Sequence, residues 1–167
     1  MNAGWEDFPV GRSIITPAVT VTETHVVQFA SITGDWYFLH MNEAAAAAGP
    51  FGRRIAHGPF TFSLAVGLMY QAQVFGDSII AWLGTEKLRA HAPVFFGDTI
   101  HVVATVTGAR PSKTPANWIV TFDYLSHNQR DEVVMSFEFV LLMKSRSLAQ
   151  PRQEIENSVK LSAGDCV

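Results

Sequence analysis

The sequence predicts an α+β domain in which one long uncharged helix is wrapped by a curved antiparallel sheet. Three observations carry this. Residues 59–75 (PFTFSLAVGLMYQAQVF) contain no charged side chain, and a helix apolar on almost every face must be enclosed by other structure. Four long β-rich runs follow, at 78–90, 98–109, 116–127 and 132–144, punctuated by Gly, Pro, Asn and Asp. The chain has 167 residues, which fits one domain with a sizeable core.

Element by element, residues 10–21 are β-branched and interrupted by Pro17, which suits an edge strand or extended arm. Thr22 then offers a helix N-cap. Val26, Val27, Phe29, Ala30 and Ile32 follow at near-helical spacing until Gly34 ends the element. Residues 43–48 read as a short alanine-rich helix, closed by the turn Gly49-Pro50-Phe51-Gly52. Pro59 sits in the first turn of the long helix, where a missing N–H costs nothing. In the second β run, Thr99, His101, Val103, Thr105 and Thr107 alternate with Ile100, Val102, Ala104 and Val106, the period of a strand with one buried face. Asn128-Gln129-Arg130-Asp131 reads as a hairpin turn. The domain therefore spans 1–144. Residues 145–167 lose periodicity and read as a disordered or loosely attached tail.

Composition narrows the function classes. Charged residues make up only 16% against 48% hydrophobic, less polar surface than a monomer normally shows, a shortfall that a buried oligomer interface would explain. Strand pairing between subunits would also cover an open sheet edge. A net charge of −3 gives no reason to expect nucleic acid or an anionic membrane as partner. No signal peptide or transmembrane stretch is visible. The single cysteine, Cys166, has no partner for an internal disulfide. A cytoplasmic protein is expected.

The chemistry concentrates between Thr33 and Gly58 (TGDWYFLHMNEAAAAAGPFGRRIAHG). Asp35 and His40 stand five residues apart among aromatic and apolar neighbours. A carboxylate and an imidazole in such surroundings suit general acid–base work on a bound water, and burial shifts their pKa values usefully. Gly58, at the head of the long helix, supplies an unpaired N–H for a developing oxyanion. Taken singly, Asp35 also fits a turn residue and His40 a core histidine. His57 suits a residue that bonds to backbone and fixes the turn. Trp36, Tyr37 and Phe38 suit a pocket wall or overhanging flap. Arg53 and Arg54 match phosphate geometry, although solvated surface arginines fit equally; Lys87, Arg89 and Lys113 are weaker candidates. His25, His91, His101 and His127 have no partner pattern. No metal-ligand spacing, GxGxxG, Walker loop or GxSxG elbow is present.

Two segments resemble the MaoC-like family of hotdog-fold proteins, which includes the (R)-specific enoyl-CoA hydratases. The first is Gly34-Asp35, Leu39-His40, Ala44–Ala48, Gly49, Gly52 and Ile55-Ala56-His57-Gly58; the second is Pro93-Val94-Phe95-Phe96-Gly97-Asp98-Thr99. The likeness covers about residues 10–144. It departs where the family's Asn-Pro is replaced by Tyr37-Phe38. A serine that some family hydratases place on the central helix falls on Val66, with Ser63 one turn earlier.

The resemblance implies a hotdog fold and addition of water to an enoyl-CoA, or the reverse dehydration of a 3-hydroxyacyl-CoA. Asp35 and His40 would share the water, Gly58 would bind the enolate oxygen, and His57, Ser63, Tyr37, Phe38, Arg53 and Arg54 would contact substrate. It implies no metal and no cofactor beyond the coenzyme A of the substrate. It also implies a homodimer or higher homo-oligomer and short, branched or dicarboxylic acyl groups. A hotdog thioesterase is the first alternative, disfavoured because residues 59–75 carry no acid. A non-catalytic acyl-CoA-binding subunit is the second.

Overall fold

The computed structural model describes residues 3–146. In chain order the elements are β1 (Ser13–Ile15), β2 (Val19–Thr20), α1 (Glu23–Thr33), α2 (Phe38–Met41), α3 (Glu43–Ala47), α4 (Gly58–Gln71), β3 (Ile79–Ala90), β4 (Thr99–Pro111), β5 (Asn117–His127) and β6 (Val133–Lys144). All strand pairs are antiparallel, in the order β1-β4-β5-β6-β3, with β2 beside the start of β4. This is the hotdog arrangement. Pro17 has no N–H to give a ladder and falls between β1 and β2, dividing the extended arm in two.

The alternation in β4 is realised residue by residue. Ile100, Val102, Ala104 and Val106 are buried, and they meet Val120, Phe122 and Tyr124 of β5 and Phe137, Phe139 and Leu141 of β6 in one core. Against it α4 buries Phe60, Thr61, Ala65, Leu68 and Met69. The expected enclosure of α4 holds on this side only. Its other side is open: Phe62, Ser63, Val66 and Tyr70 border a groove of about 300 Å³ with Trp82 and Phe139. Helix α4 is also shorter than its apolar run, because Gln73 takes φ 54° and the chain turns there.

Strand β3 pairs with β6 alone among the described residues. It presents Ile80, Trp82, Leu83 and Leu88 to the exterior. Ser145, the first residue past the boundary expected at 144, contacts the domain. The Trp5 indole donates to Ser145 Oγ at 3.1 Å, and Ser145 N–H donates to the Ala116 carbonyl at 2.8 Å. The rest of the expected tail, 147–167, lies outside the described residues. No helix among the described residues is long and apolar enough to cross a membrane.

Candidate active site

Local rules bring the acid–base pair together. Thr22 caps α1, its N–H meeting His25 Nδ1 at 3.1 Å. At the other end Gly34 takes φ 77° and donates its N–H to the Ala30 carbonyl at 2.8 Å. That left-handed step, which glycine takes at least cost, turns the chain so that Asp35 leaves the helix axis. Tyr37 N–H donates to Asp35 Oδ1 at 3.3 Å, a side-chain turn that leads into α2 and His40. Asn42 caps α3 by accepting from Ala45 N–H at 3.0 Å.

The segment before α4 closes onto this loop. Ile55 N–H donates to the Leu39 carbonyl at 3.1 Å and Ala56 N–H to the Val94 carbonyl at 2.8 Å. The Pro93–Thr99 segment is braced in turn by Asp98, which accepts from Phe95 N–H at 2.9 Å and from Gln129 Nε2 at 2.8 Å. Its role is to support the residues leading into α4.

His40 Nδ1 lies 2.8 Å from the Ile55 carbonyl. A carbonyl only accepts, so Nδ1 carries the proton and Nε2 keeps its lone pair. Burial holds the His40 pKa below the ordinary 6.5, against the hydrogen bond to Ile55, which raises it; His57 lowers it further and Asp35 raises it. At neutral pH His40 is a base. The Asp35 carboxyl remains 44% exposed.

His57 is wholly buried and caps the entry to α4. Its Nε2–H donates to the Asp35 carbonyl at 2.9 Å and lies 4.0 Å from Asp35 Oδ2. Its ring stacks on His40 with centroids 3.8 Å apart. One donor atom from each of Asp35, His40 and His57 fits within 4.8 Å of the others, a cluster that the spacing in the sequence did not reveal. With His40 Nδ1 and His57 Nε2 committed to carbonyls, His40 Nε2 and the Asp35 carboxylate are the groups open to a substrate.

Gly58 follows directly, and its N–H, first of α4, has no intrahelical partner. A Cβ built on it would meet nothing within 4 Å. A cavity of about 350 Å³ adjoins it, with apolar walls from Phe51, Ile55, Val94, Val134 and Met135. Asp35 and His40 are not among its lining residues; Gly58 and Ile55 link the two.

The remaining expected site residues part company. Arg54 is committed elsewhere: its Nε meets Glu43 at 2.6 Å and its Nη1 meets Glu23 at 2.7 Å, tying α1 to α3. Two carboxylates occupy the fork expected to bind phosphate, because the fold sets both acids around it. Arg53 lies over the Phe95 ring at 3.8 Å and is exposed. Ser63 gives its hydroxyl to the Pro59 carbonyl at 2.9 Å and borders the outer groove of α4, away from the Gly58 cavity. Trp36, Tyr37 and Phe38 are all exposed beside the pair. The four unassigned histidines do have neighbours: His25 caps α1, His91 Nε2 meets Ser136 Oγ at 2.7 Å, and His101 stacks on His127 across the β4–β5 ladder.

Residues 7–126 match the MaoC-like domain. The chain belongs to the MaoC-like family. Among relatives, it is 44% identical over 101 residues to Protein MaoC of Klebsiella aerogenes, a match spanning 60% of this chain but only 30% of that protein's length. It is 31% identical over 147 residues to the 3-hydroxybutyryl-CoA dehydratase of Methylorubrum extorquens, covering 88% of each. The crystal structure of a MaoC-like dehydratase from Rhodospirillum rubrum superimposes with a TM-score of 0.77 at 30% identity, covering 87% of this chain and 99% of that one. The MaoC-like assignment rests on a match that contains Asp35, His40, His57 and Gly58 together.

Proposed function

We propose that this protein is a hydro-lyase that adds water across the α,β double bond of an enoyl-CoA thioester, or removes it from the 3-hydroxyacyl-CoA. The observation that carries the reading is a half-exposed carboxylate paired with a neutral imidazole whose Nε2 is free, joined through His57 to a free helix-terminal N–H that lines an apolar cavity. The likeness to relatives named as dehydratases over most of the chain supports it.

The steps follow from these groups. Asp35 and His40 Nε2 hold one water between them. As its oxygen bonds to the β-carbon, one of its protons passes to this pair and the π electrons move onto the thioester oxygen. The Gly58 N–H and the positive end of α4 stabilise that enolate oxygen. The proton then returns from the pair to the α-carbon. Arg53, exposed and lying over the Phe95 ring, would meet a coenzyme A phosphate. Short, branched or dicarboxylic acyl chains fit a cavity of about 350 Å³. The apolar edge of β3 and the open side of α4 are surfaces that a second copy would cover as a homodimer, and a cytoplasmic location is in keeping with acyl-CoA chemistry.

Loss of enoyl-thioester absorbance with short, branched and dicarboxylic enoyl-CoAs tests the reading, with thiol release followed in parallel. Hydration that falls by ~10²–10⁴-fold in both Asp35→Ala and His40→Ala supports it, that being the usual contribution of such groups. Thiol release would reassign the protein as a thioesterase. Hydration retained by Asp35→Ala would overturn the role of the pair.

A further inference from the structure

We infer that His57 is a positioning residue for the acid–base pair, aligning Asp35 with one part of its ring and His40 with another. The inference rests on the hydratase reading of Asp35 and His40. Two contacts made by its side chain and one made by its backbone carbonyl carry it. Its Nε2–H fixes the Asp35 carbonyl at 2.9 Å, at the residue whose carboxylate does the chemistry. Its ring face lies on the His40 ring at 3.8 Å with 32° between planes, while His40 Nδ1 is held by Ile55. Its own carbonyl accepts from Thr61 N–H at 3.1 Å and Thr61 Oγ1 at 3.2 Å, which anchors the first turn of α4 and so the Gly58 N–H.

A turn residue would not need this chemistry. The remaining ring nitrogen, Nδ1, is buried without a hydrogen-bond partner, and an orphaned buried polar atom carries a free-energy penalty. An apolar ring of similar size would avoid that penalty but lose the donor to Asp35. An amide would keep the donor but lose the aromatic face against His40. Imidazole is the side chain that supplies both. Phe29 packs against the same ring, with centroids 5.2 Å apart.

Two substitutions separate the contacts. His57→Gln keeps an N–H for Asp35 and removes the ring face; His57→Phe keeps the face and removes the N–H. The titratable groups facing His40 are Asp35, His57 and Tyr37. His40 is therefore followed directly by the NMR titration of its imidazole in the wild type and both variants, beside hydration kinetics. Uncovering the ring by His57→Gln should move the His40 midpoint up toward 6.5, since burial is the main cause of its lowering. His57→Phe should leave that midpoint nearer the wild-type value while kcat falls more than KM changes, by about 10²-fold for a misalignment of the order of 1 Å. If only thermal stability changes, with the His40 midpoint and kcat preserved in both variants, His57 is a structural turn residue and the inference is wrong. The titration needs no turnover, so a wild type without hydratase activity would overturn the proposed function and leave the alignment of His40 separately decided.

Discussion

Replacing Gly58 by alanine should separate activity from stability. In the folded chain the added methyl meets nothing within 4 Å, and Gly58 does not use a positive φ. Removing a glycine from the unfolded ensemble stabilises by ~0.4–1 kcal/mol at a compatible site. Against this, Gly58 precedes Pro59 inside a helix, a position where a Cβ crowds the proline ring. The two effects oppose each other, so the net change should stay within about 1 kcal/mol, a shift of roughly 2–4 °C in Tm for a domain of this size. Turnover should behave differently. The open space in front of Gly58 is where the thioester oxygen has to come within hydrogen-bond distance of the N–H, and a methyl there holds it off. Loss of one such donor costs about 10²–10³-fold in kcat. Thermal unfolding and enoyl-CoA hydration measured on the same preparation decide the matter. A Gly58→Ala protein with wild-type turnover would refute the claim that the thioester docks at the start of α4.

Other consequences concern the two arginines, pH and the core. Arg53→Ala should raise KM for CoA esters by about tenfold, the lower end for a lost charge-assisted hydrogen bond, with Tm unchanged. Arg54→Met should leave KM alone and lower stability by about 1 kcal/mol, because it releases two exposed acids; unfolding in urea and steady-state kinetics read both. Because the folded pKa of His40 is depressed, kcat/KM should fall on the acid side of an inflection below 6.5. The same group favours the folded state above its unfolded pKa, and that stability is lost as pH falls through the lowered value; a pH–rate profile paired with urea melts at neutral and mildly acid pH checks both signs. Leu68→Ala, at a fully buried position of α4, should cost ~2–5 kcal/mol, seen as a lower urea midpoint at constant slope.

Much of the fold and part of the site are legible in the residues themselves. The caps and breaks at Thr22, Gly34 and Asn128–Asp131 act on backbone within a few residues of themselves, so they mark element ends wherever the chain goes. The alternation from Thr99 to Thr107 fixes which face of β4 is buried, since successive strand side chains point opposite ways. Asp35 and His40 are close in sequence and joined by one turn, so their proximity needs no distant partner. Partners supplied by separate elements are another matter. The partners of Arg54 are not legible in the sequence, because it takes the first turns of α1 and α3 to set Glu23 and Glu43 around it. Which side of α4 Ser63 faces is not legible in the sequence; the rotation of α4 sets it on the outer groove. His57, seventeen residues beyond His40, gains its place against both members of the pair through the Ala56–Val94 and Ile55–Leu39 hydrogen bonds. Periodicity and local hydrogen bonding determined the elements and the pair, because those act over a few residues. Which charges neutralise one another and which ring covers which were decided only when long-range packing brought separate segments into contact.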